Sequence, residues 1–320
     1  MKRFIFSFLV LISAVSQAQH SPHKDYPELA GLQKKKAALE FMVVGDWGRN
    51  GEYYQKDVAG IMAKAARTMG TDFIVSTGDN FYPEGVISVQ DPLWKSSFED
   101  VYTAHVLQVR WYPVLGNHDY GGDPQAQIDY SRISRRWNMP SRYHSRVEYT
   151  GDGAKVLLVF LDTSPFEKGY HGSRDDLFRN NIRSQDTARQ RKWLDSTLRT
   201  SDAPWKIVFG HHPLYTSGPR KGRQNDVAAA LQPTLESAGA DLYIAGHEHI
   251  LEHDVLTPRL QHIISGAGCQ VTPSTGNPLT RFVASQAGFI TCSVNREECW
   301  VQFINHEGKV IYTTSIRKNG

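Results

Sequence analysis

Five short apolar segments, each followed by glycine and a polar residue, constrain the fold of this chain more than any other feature. They lie at 41–44, 73–76, 111–115, 206–209 and 242–245, and their aliphatic and aromatic content predicts buried strands. Between them, apolar residues recur at helical spacing, for example over 53–69 and 226–238. Strands that alternate with helices are typical of an α/β fold with parallel strands.

The other segments extend this architecture. Helices are expected at 92–102, 125–134 and 187–199, and strands at 143–149, 155–161, 252–256, 260–264, 289–294, 300–305 and 310–315. The stretch 163–186 is long and polar, and we expect a structureless loop that can cover a site. With 40% hydrophobic residues among 320, the chain can bury a large core.

The first 18 residues have the pattern of a secretory signal peptide. Two basic residues precede an apolar run that is shorter than the roughly 20 residues needed to span a bilayer. We expect cleavage between Ala18 and Gln19 and a secreted or periplasmic protein. A polar linker is expected at 19–38 and a single domain at 39–316.

Charge and cysteine content narrow the possible partners. The formal net charge is only +3, so we expect neither nucleic acid nor a membrane as a partner. We also expect a monomer. Three cysteines give no disulfide framework, and the sequence leaves open whether Cys292 and Cys299 pair across a hairpin.

Side chains that bind metals follow each of the five predicted strands. They are Asp46, Asp79 with Tyr82, Asn117 with His118, His211, and His247 with His249. Because ligands bind at the carboxyl ends of strands in such sheets, we expect these side chains to meet. Hard oxygen ligands combined with imidazoles suit a pair of first-row transition metals. The two oxygens of one carboxylate, Asp79, can hold two cations, and a phenolate suits ferric iron.

Five motifs in this order resemble those of the purple acid phosphatases, most closely the small mammalian tartrate-resistant type. The motifs are GDWG at 45–48, GDNFY at 78–82, GNHD at 116–119, GHHP at 210–213 and GHEH at 246–249. The segments AQIDYSRISRRWNMPS at 126–141 and ISGAG at 264–268 also resemble that type, so the similarity covers about residues 40 to 316. The resemblance implies a four-layer sandwich of two mixed β-sheets flanked by helices.

The resemblance also implies a role for each matching residue. Asp46, Tyr82 and His249 would hold a ferric ion, Asp79 would bridge both metals, and Asn117, His211 and His247 would hold iron(II), zinc or manganese. His118 would be the catalytic residue that faces the substrate. His212 occupies the variable position of its motif and is not counted as a ligand.

The implied activity is an acid phosphatase that hydrolyses phosphate monoesters by in-line attack of a metal-bound hydroxide. Two metals can clamp such a displacement, and a trivalent ion lowers the pKa of bound water enough for hydroxide to persist in acid. The implied substrates are small phosphate esters or phosphoproteins. Alternatives on the same ligands are a phosphodiesterase or nucleotide hydrolase, an iron redox protein that generates radicals, and a binding module without turnover.

One departure from the family pattern concerns the substrate. The mammalian-type enzymes carry a further substrate-facing histidine beyond the GHxP motif, and this chain has none at 217–223. We therefore expect Arg220 and Lys221, which lie in that segment, to contact the phosphate. The alternative is an exposed basic loop, and either outcome affects substrate preference rather than the metal site.

Overall fold

The structure is a computed structural model that describes residues 26–222 and 225–318. The predicted signal peptide at 1–18 lies outside the described residues. The strands are β1 (Leu39–Val44), β2 (Phe73–Ser76), β3 (Arg110–Pro113), β4 (His144–Tyr149), β5 (Lys155–Phe160), β6 (Trp205–Phe209), β7 (Leu242–Ala245), β8 (Leu251–Val255), β9 (Gln261–Ser265), β10 (Thr280–Ala284), β11 (Gly288–Val294), β12 (Glu298–Asn305) and β13 (Val310–Arg317). The α-helices are α1 (Gln55–Met69), α2 (Pro124–Tyr130), α3 (Asp176–Arg183), α4 (Thr187–Thr200) and α5 (Asn225–Ser237).

The strands form two mixed sheets. One has six strands in the order β13-β12-β11-β1-β2-β3, and the other has seven in the order β10-β8-β9-β7-β6-β5-β4. Strands β1, β2 and β3 run parallel to one another, and so do β5, β6, β7 and β9. The remaining pairs are antiparallel. Within each sheet, the carboxyl ends of the parallel strands therefore lie along one edge.

The four layers form because the side chains of each strand point alternately to the two faces of its sheet. In β1, Phe41 and Val43 belong to a core between the two sheets, whereas Met42 and Val44 pack in a second core that contains the buried face of α1. In the other sheet, the outward face packs against apolar residues of α4 and α5. Because successive side chains point to opposite faces of a strand, each sheet buries both faces. The predicted four-layer sandwich is confirmed.

Three local predictions differ from the structure. The helix expected at 92–102 is a short π-helix, Trp94–Glu99, and the strand β10 was not predicted. The stretch 163–186 is not structureless, because it contains two 3₁₀-helices and α3. The side-chain amide of Asn181 in α3 donates to the carbonyls of Tyr120 and Gly122, at 3.0 and 2.9 Å, and so ties this segment to the loop after β3.

The described part of the predicted linker packs on the domain. Leu29 and Leu32 are buried, and Lys35 forms an ion pair of 2.8 Å with Glu298. The ammonium group of Lys35 also lies 4.2 Å from the centre of the Trp300 ring. Two leucines of 26–38 therefore join the core, while most of the other residues in this stretch are exposed.

The register of the β11–β12 hairpin decides the geometry of two cysteines. Cys292 lies opposite Val301, and Cys299 lies opposite Val294, so the two cysteines are diagonal neighbours rather than direct partners. Both thiols are free and buried. Within residues 26–222 and 225–318, no helix is both long enough and apolar enough to cross a bilayer.

Candidate metal centre

The seven predicted ligands and His118 meet at the carboxyl ends of five strands. Asp46 follows β1, Asp79 and Tyr82 follow β2, Asn117 and His118 follow β3, His211 follows β6, and His247 and His249 follow β7. The first three strands belong to one sheet and the last two to the other. The site therefore lies where the edges of the two sheets meet.

One group of ligand atoms surrounds the phenol oxygen of Tyr82. This oxygen lies 3.0 Å from Oδ2 of Asp79, 3.2 Å from Oδ1 of Asp46 and 3.3 Å from Nε2 of His249. These four residues come from three loops that are far apart in the chain. Two carboxylates, a phenol and an imidazole within this range form a compact set of hard donors.

A second group surrounds Nε2 of His211. This nitrogen lies 3.0 Å from Nδ1 of His247, 3.2 Å from Oδ1 of Asn117 and 3.4 Å from Oδ1 of Asp79. Asp79 thus contributes one carboxylate oxygen to each group. Asp79 therefore lies where it could contact an ion in either group, and its bridging role stays a prediction.

The backbone takes unusual conformations at three of the ligands. Asp46, Asp79 and His247 have positive φ angles of 59°, 49° and 70°. Left-handed conformations of this kind cost of order 1–3 kcal/mol and cluster at functional sites. The loops therefore turn at the ligands themselves, and not at every preceding glycine as their sequence pattern suggests.

Gly116, the residue before Asn117, allows its loop to lie very close to Asp79. A Cβ atom on Gly116 would lie 2.2 Å from both the backbone nitrogen and Oδ1 of Asp79. No side chain fits there without displacing the carboxylate that joins the two groups. At position 116, glycine is needed because there is no space for a side chain, and not because the backbone has an unusual φ angle.

The donor set fits a pair of cations. Asp46 and Asp79 are buried, and each places a carboxylate oxygen within 3.2 Å of the Tyr82 phenol oxygen. Charged oxygens packed this closely repel one another unless cations lie between them. Two sets that fit a metal, Asp46 with Asp79 and His211, and His211 with His212 and His247, follow from distances alone.

Burial sets the charges of the imidazoles. It lowers the pKa values of His211 and His247 and so favours the neutral rings that bind metals. Burial, together with the charge of Asp79, raises the pKa of Asp46. A metal ion supplies the positive charge that would hold such a carboxylate ionised.

A backbone contact selects the metal-binding nitrogen of His211. Its Nδ1 lies 2.8 Å from the carbonyl oxygen of Thr77, to which it donates, and this leaves Nε2 as the ligand atom. Metal-binding histidines commonly donate their second ring N–H in this way, which fixes the tautomer and the orientation of the ring. The contact also joins the loops after β2 and β6, one from each sheet.

His118 lies at the open side of the centre. Its Nδ1 faces the carbonyl of Pro83, to which it donates, and its Nε2 lies 3.9 Å from Oδ2 of Asp79. The side chain is 38% exposed, whereas that of Asp79 is buried. His118 can therefore present Nε2 to a molecule that approaches the two ligand groups from solvent.

His212 lies close to the second group but has other partners. Its Nδ1 is 2.9 Å from the Thr163 hydroxyl, and its Nε2 is 3.0 Å from the Tyr170 hydroxyl. Both ring nitrogens are thus occupied by residues of the segment 163–186. Distances alone would still allow His212 a place in a metal set, so its exclusion from the ligands stays a prediction.

Asp119 organises the loops and was not singled out in the sequence. Its carboxylate accepts hydrogen bonds from the backbone nitrogens of Asn80 and Gly116, at 3.1 and 2.8 Å, and from Nε2 of Gln127, at 2.8 Å. It therefore holds the loops after β2 and β3 together behind the ligands. Its place at the end of the motif at 116–119 is the only sequence signal that could have pointed to it.

Arg220 is held beside the centre, and Lys221 is exposed. The guanidinium of Arg220 donates to the carbonyl of His247 at 2.9 Å and lies 3.4 Å from Oε2 of Glu248. These contacts support the loop that carries two of the ligands. A direct contact of Arg220 or Lys221 with phosphate stays a prediction.

Known proteins match nearly the whole chain. The calcineurin-like phosphoesterase family matches residues 39–251. Purple acid phosphatase 17 of Arabidopsis thaliana is 36% identical over 291 residues, which cover 87% of this chain and 84% of that protein. Tartrate-resistant acid phosphatase type 5 of Homo sapiens is 32% identical over 302 residues, which cover 87% of this chain and 91% of that protein.

Solved structures share the fold. The structure described as GAP50, the anchor in the inner membrane complex of Plasmodium, has a TM-score of 0.78 at 26% identity and covers 89% of this chain and 90% of that one. The purple acid phosphatase PPD1 of yellow lupin has a TM-score of 0.64 at 13% identity, over 90% of this chain and 55% of that one. The family match and the two curated relatives show that the chain belongs to the calcineurin-like phosphoesterases and, within them, to the purple acid phosphatases.

Proposed function

We propose that this acid phosphatase is exported and hydrolyses phosphate monoesters at a centre that holds a ferric ion beside iron(II), zinc or manganese. The observation that carries this proposal is the position of Tyr82. Its phenol oxygen lies within 3.3 Å of Asp46, Asp79 and His249. A phenolate in a set of hard donors favours a trivalent ion over a divalent one.

The ligands divide between two ions in this proposal. Asp46, Tyr82 and His249 hold the ferric ion, Asn117, His211 and His247 hold the divalent ion, and Asp79 bridges them. When bound, the two ions supply Lewis acidity and an activated water. The protein fixes the ligands through buried contacts, so the site needs little rearrangement to accept them.

The chain itself supplies the proton for the leaving group. His118 is the exposed imidazole nearest the bridging carboxylate, and its Nδ1 is engaged by the Pro83 carbonyl. Its Nε2 can therefore donate to the ester oxygen opposite the attacking water. General acids in such positions contribute about 10²- to 10⁴-fold to the rate.

Substrate recognition falls to groups around the open side. We propose Arg220 and Lys221 as contacts for the phosphate of a small ester or a phosphoprotein. The side chain of Arg220 is 36% exposed, so part of the guanidinium faces solvent while the rest supports Glu248. Lys221 is exposed and free to swing on its long side chain.

A panel of substrates on the purified protein tests the proposal. Elemental analysis should find two metals per chain, one of them iron, and the protein should cleave alkyl and aryl phosphate monoesters in acid. Turnover of a bis-ester faster than of the matching monoester would favour a phosphodiesterase. Peroxide-dependent activity that survives saturation with phosphate would favour a redox protein.

The similarity to an anchor protein favours one alternative, a binding module that does not catalyse hydrolysis. The structure that shares the fold at a TM-score of 0.78 is described as an anchor. The fold alone does not establish catalysis, whereas the purple acid phosphatase relatives place this chain in a family of enzymes. A protein that holds two metals but cleaves no ester in the panel would support the alternative.

Export has a separate test. Intact mass of protein collected from outside the cytoplasm should correspond to a chain that begins at Gln19. A mass that includes residues 1–18 would contradict the proposed cleavage without affecting the proposed chemistry.

A further inference from the structure

An arginine lies directly over the ring of the proposed ferric ligand. Cζ of the Arg49 guanidinium is 3.6 Å from the centre of the Tyr82 ring, and its Nε is a buried atom with no hydrogen-bond partner among the described residues. Within residues 26–222 and 225–318, no carboxylate forms an ion pair with Arg49. The ring therefore faces a guanidinium that forms no direct ion pair with a described carboxylate.

The backbone fixes this stack. The backbone nitrogen of Arg49 donates to the carbonyl of Trp47 at 2.8 Å and to Oε1 of Gln55 at 3.1 Å. The carbonyl of the preceding Gly48 accepts from the backbone nitrogen of Tyr82 at 2.9 Å. This last hydrogen bond joins the loop of Arg49 to the loop of Tyr82, and its acceptor is the residue directly before Arg49.

Close packing leaves this loop little freedom. A Cβ atom on Gly48 would lie 1.8 Å from the carbonyl oxygen of Asn80. The loops after β1 and β2 are in direct contact at this point. The backbone of Arg49 is therefore held in place relative to that of Tyr82, which keeps the base of the arginine side chain beside the ring.

Two imidazole rings also lie near Tyr82, that of His118 at 4.5 Å between centroids and 51°, and that of His249 at 6.3 Å and 87°. Arg49 is the close cation over a face of the phenol, and a cation in that position is attracted by the π electrons. The same attraction lowers the energy of the ring electrons. A phenolate whose electrons are held more tightly donates less of its charge to a bound ion.

We propose that Arg49 tunes the electron donation from Tyr82 to the ferric ion, as a positioning residue that contacts neither substrate nor metal. The inference rests on the proposed function, because it requires iron at Tyr82. The positive charge raises the energy of charge transfer from the phenolate, which moves the visible band to shorter wavelength. It also favours the ferrous state, and so raises the reduction potential of the iron bound to Tyr82.

Two substitutions test this role through readouts other than activity. Arg49→Gln removes the charge and keeps a planar polar group, and Arg49→Lys keeps the charge without the planar stack. In Arg49→Gln, the band should move to longer wavelength by about 10–20 nm, the size expected for losing an interaction of cation–π strength. The midpoint potential, followed by redox titration of the same band, should fall.

The control is Arg67→Gln. Arg67 lies in the last turn of α1, which leads into the start of β2, at the opposite end of that strand from the ligands. This variant should leave both the band and the potential in place. Arg49→Lys should keep both closer to the wild-type values than Arg49→Gln does.

The outcomes separate this inference from the function on which it rests. An unchanged band in Arg49→Gln, with wild-type metal content, would overturn the tuning role and leave the ferric site intact. A shift in Arg49→Lys as large as that in Arg49→Gln would also overturn it, because charge would then not be the cause. A wild-type protein with no iron or no visible band would overturn the ferric site, and this inference with it.

Discussion

The backbone N–H of His118 donates a hydrogen bond of 2.9 Å to Oδ1 of Asp79, the carboxylate that joins the two ligand groups. The residue proposed as the general acid is therefore tied to the residue proposed as the bridge. A change in the His118 side chain leaves this backbone bond in place. The side chain can thus be removed to test mechanism without removing the support of the metal centre.

His118→Ala should keep both metals and lose activity in a manner that depends on the leaving group. An alkoxide needs a proton to leave, whereas a nitrophenolate is already a stable anion. The rate on an alkyl phosphate should fall by about 10²-fold or more, and the rate on nitrophenyl phosphate should fall much less. Steady-state kinetics on both esters measures the difference.

Equal losses on the two esters, with metals retained and KM raised, would instead indicate that His118 attracts the phosphate. Loss of a metal in the same variant would place His118 among the ligands. Elemental analysis of the variant is therefore the control for the kinetic comparison.

Asp119→Ala should loosen the metal centre without touching a ligand. The substitution leaves the buried donors of Asn80, Gly116 and Gln127 without their acceptor, and a buried unsatisfied group costs about 1–3 kcal/mol. We expect lower stability in urea and faster loss of metal during dialysis. Gln127→Ala, which removes one of these partners, should have a smaller effect, and equal effects would contradict the organising role of Asp119.

His144 should make stability depend on pH away from the metal centre. Its ring stacks on that of Phe160, with centroids 4.6 Å apart, and burial lowers its pKa from the ordinary 6.5 to about 4. The unfolded chain binds the proton more readily than the folded protein between these values. The stabilising effect of the neutral ring is therefore fully present above pH 6.5 and is lost as the pH falls towards 4.

His144→Phe keeps an aromatic ring and removes the titration. Between pH 6.5 and 4, this variant should lose about 1–3 kcal/mol less stability than the wild type. Urea unfolding of both proteins at the two pH values measures the difference, and loss of metal in acid affects both alike. An identical pH dependence of the two proteins would contradict the role of His144.

The positions of the candidate ligands at strand ends could be predicted from the sequence because the local pattern is clear at each of them. Each of the strands that precede them is short and apolar. Each candidate ligand is a polar side chain in the loop that follows such a buried strand. Asp46 and His249 are 203 positions apart and follow strands of different sheets, so their shared place was implied by the resemblance to the family rather than by strand pairing. The four layers were implied by the resemblance to the family, because residues 41–44 of β1 are all apolar and show no alternation in the sequence.

What the sequence did not reveal depends on contacts between segments. The polar stretch 163–186 forms helices because Asn181 and Tyr170 find partners on other loops, and no local pattern records those partners. Arg49 lies directly after a motif, but its position over Tyr82 depends on two loops meeting. Leu29 and Leu32 were predicted to lie in a linker because their neighbours in the sequence are polar. In the fold, both side chains are buried.

The visible absorption spectrum of Tyr82→Phe, measured together with its metal content, tests the central claim most directly. A phenolate bound to ferric iron gives a charge-transfer band, so the oxidised wild type should be pink to purple. The variant lacks only the phenol oxygen that lies 3.0 Å from Asp79, so it should be colourless while it retains much of its metal. A variant that keeps the colour, or a wild type that holds two irons and is colourless, would contradict the assignment of Tyr82 as the ferric ligand.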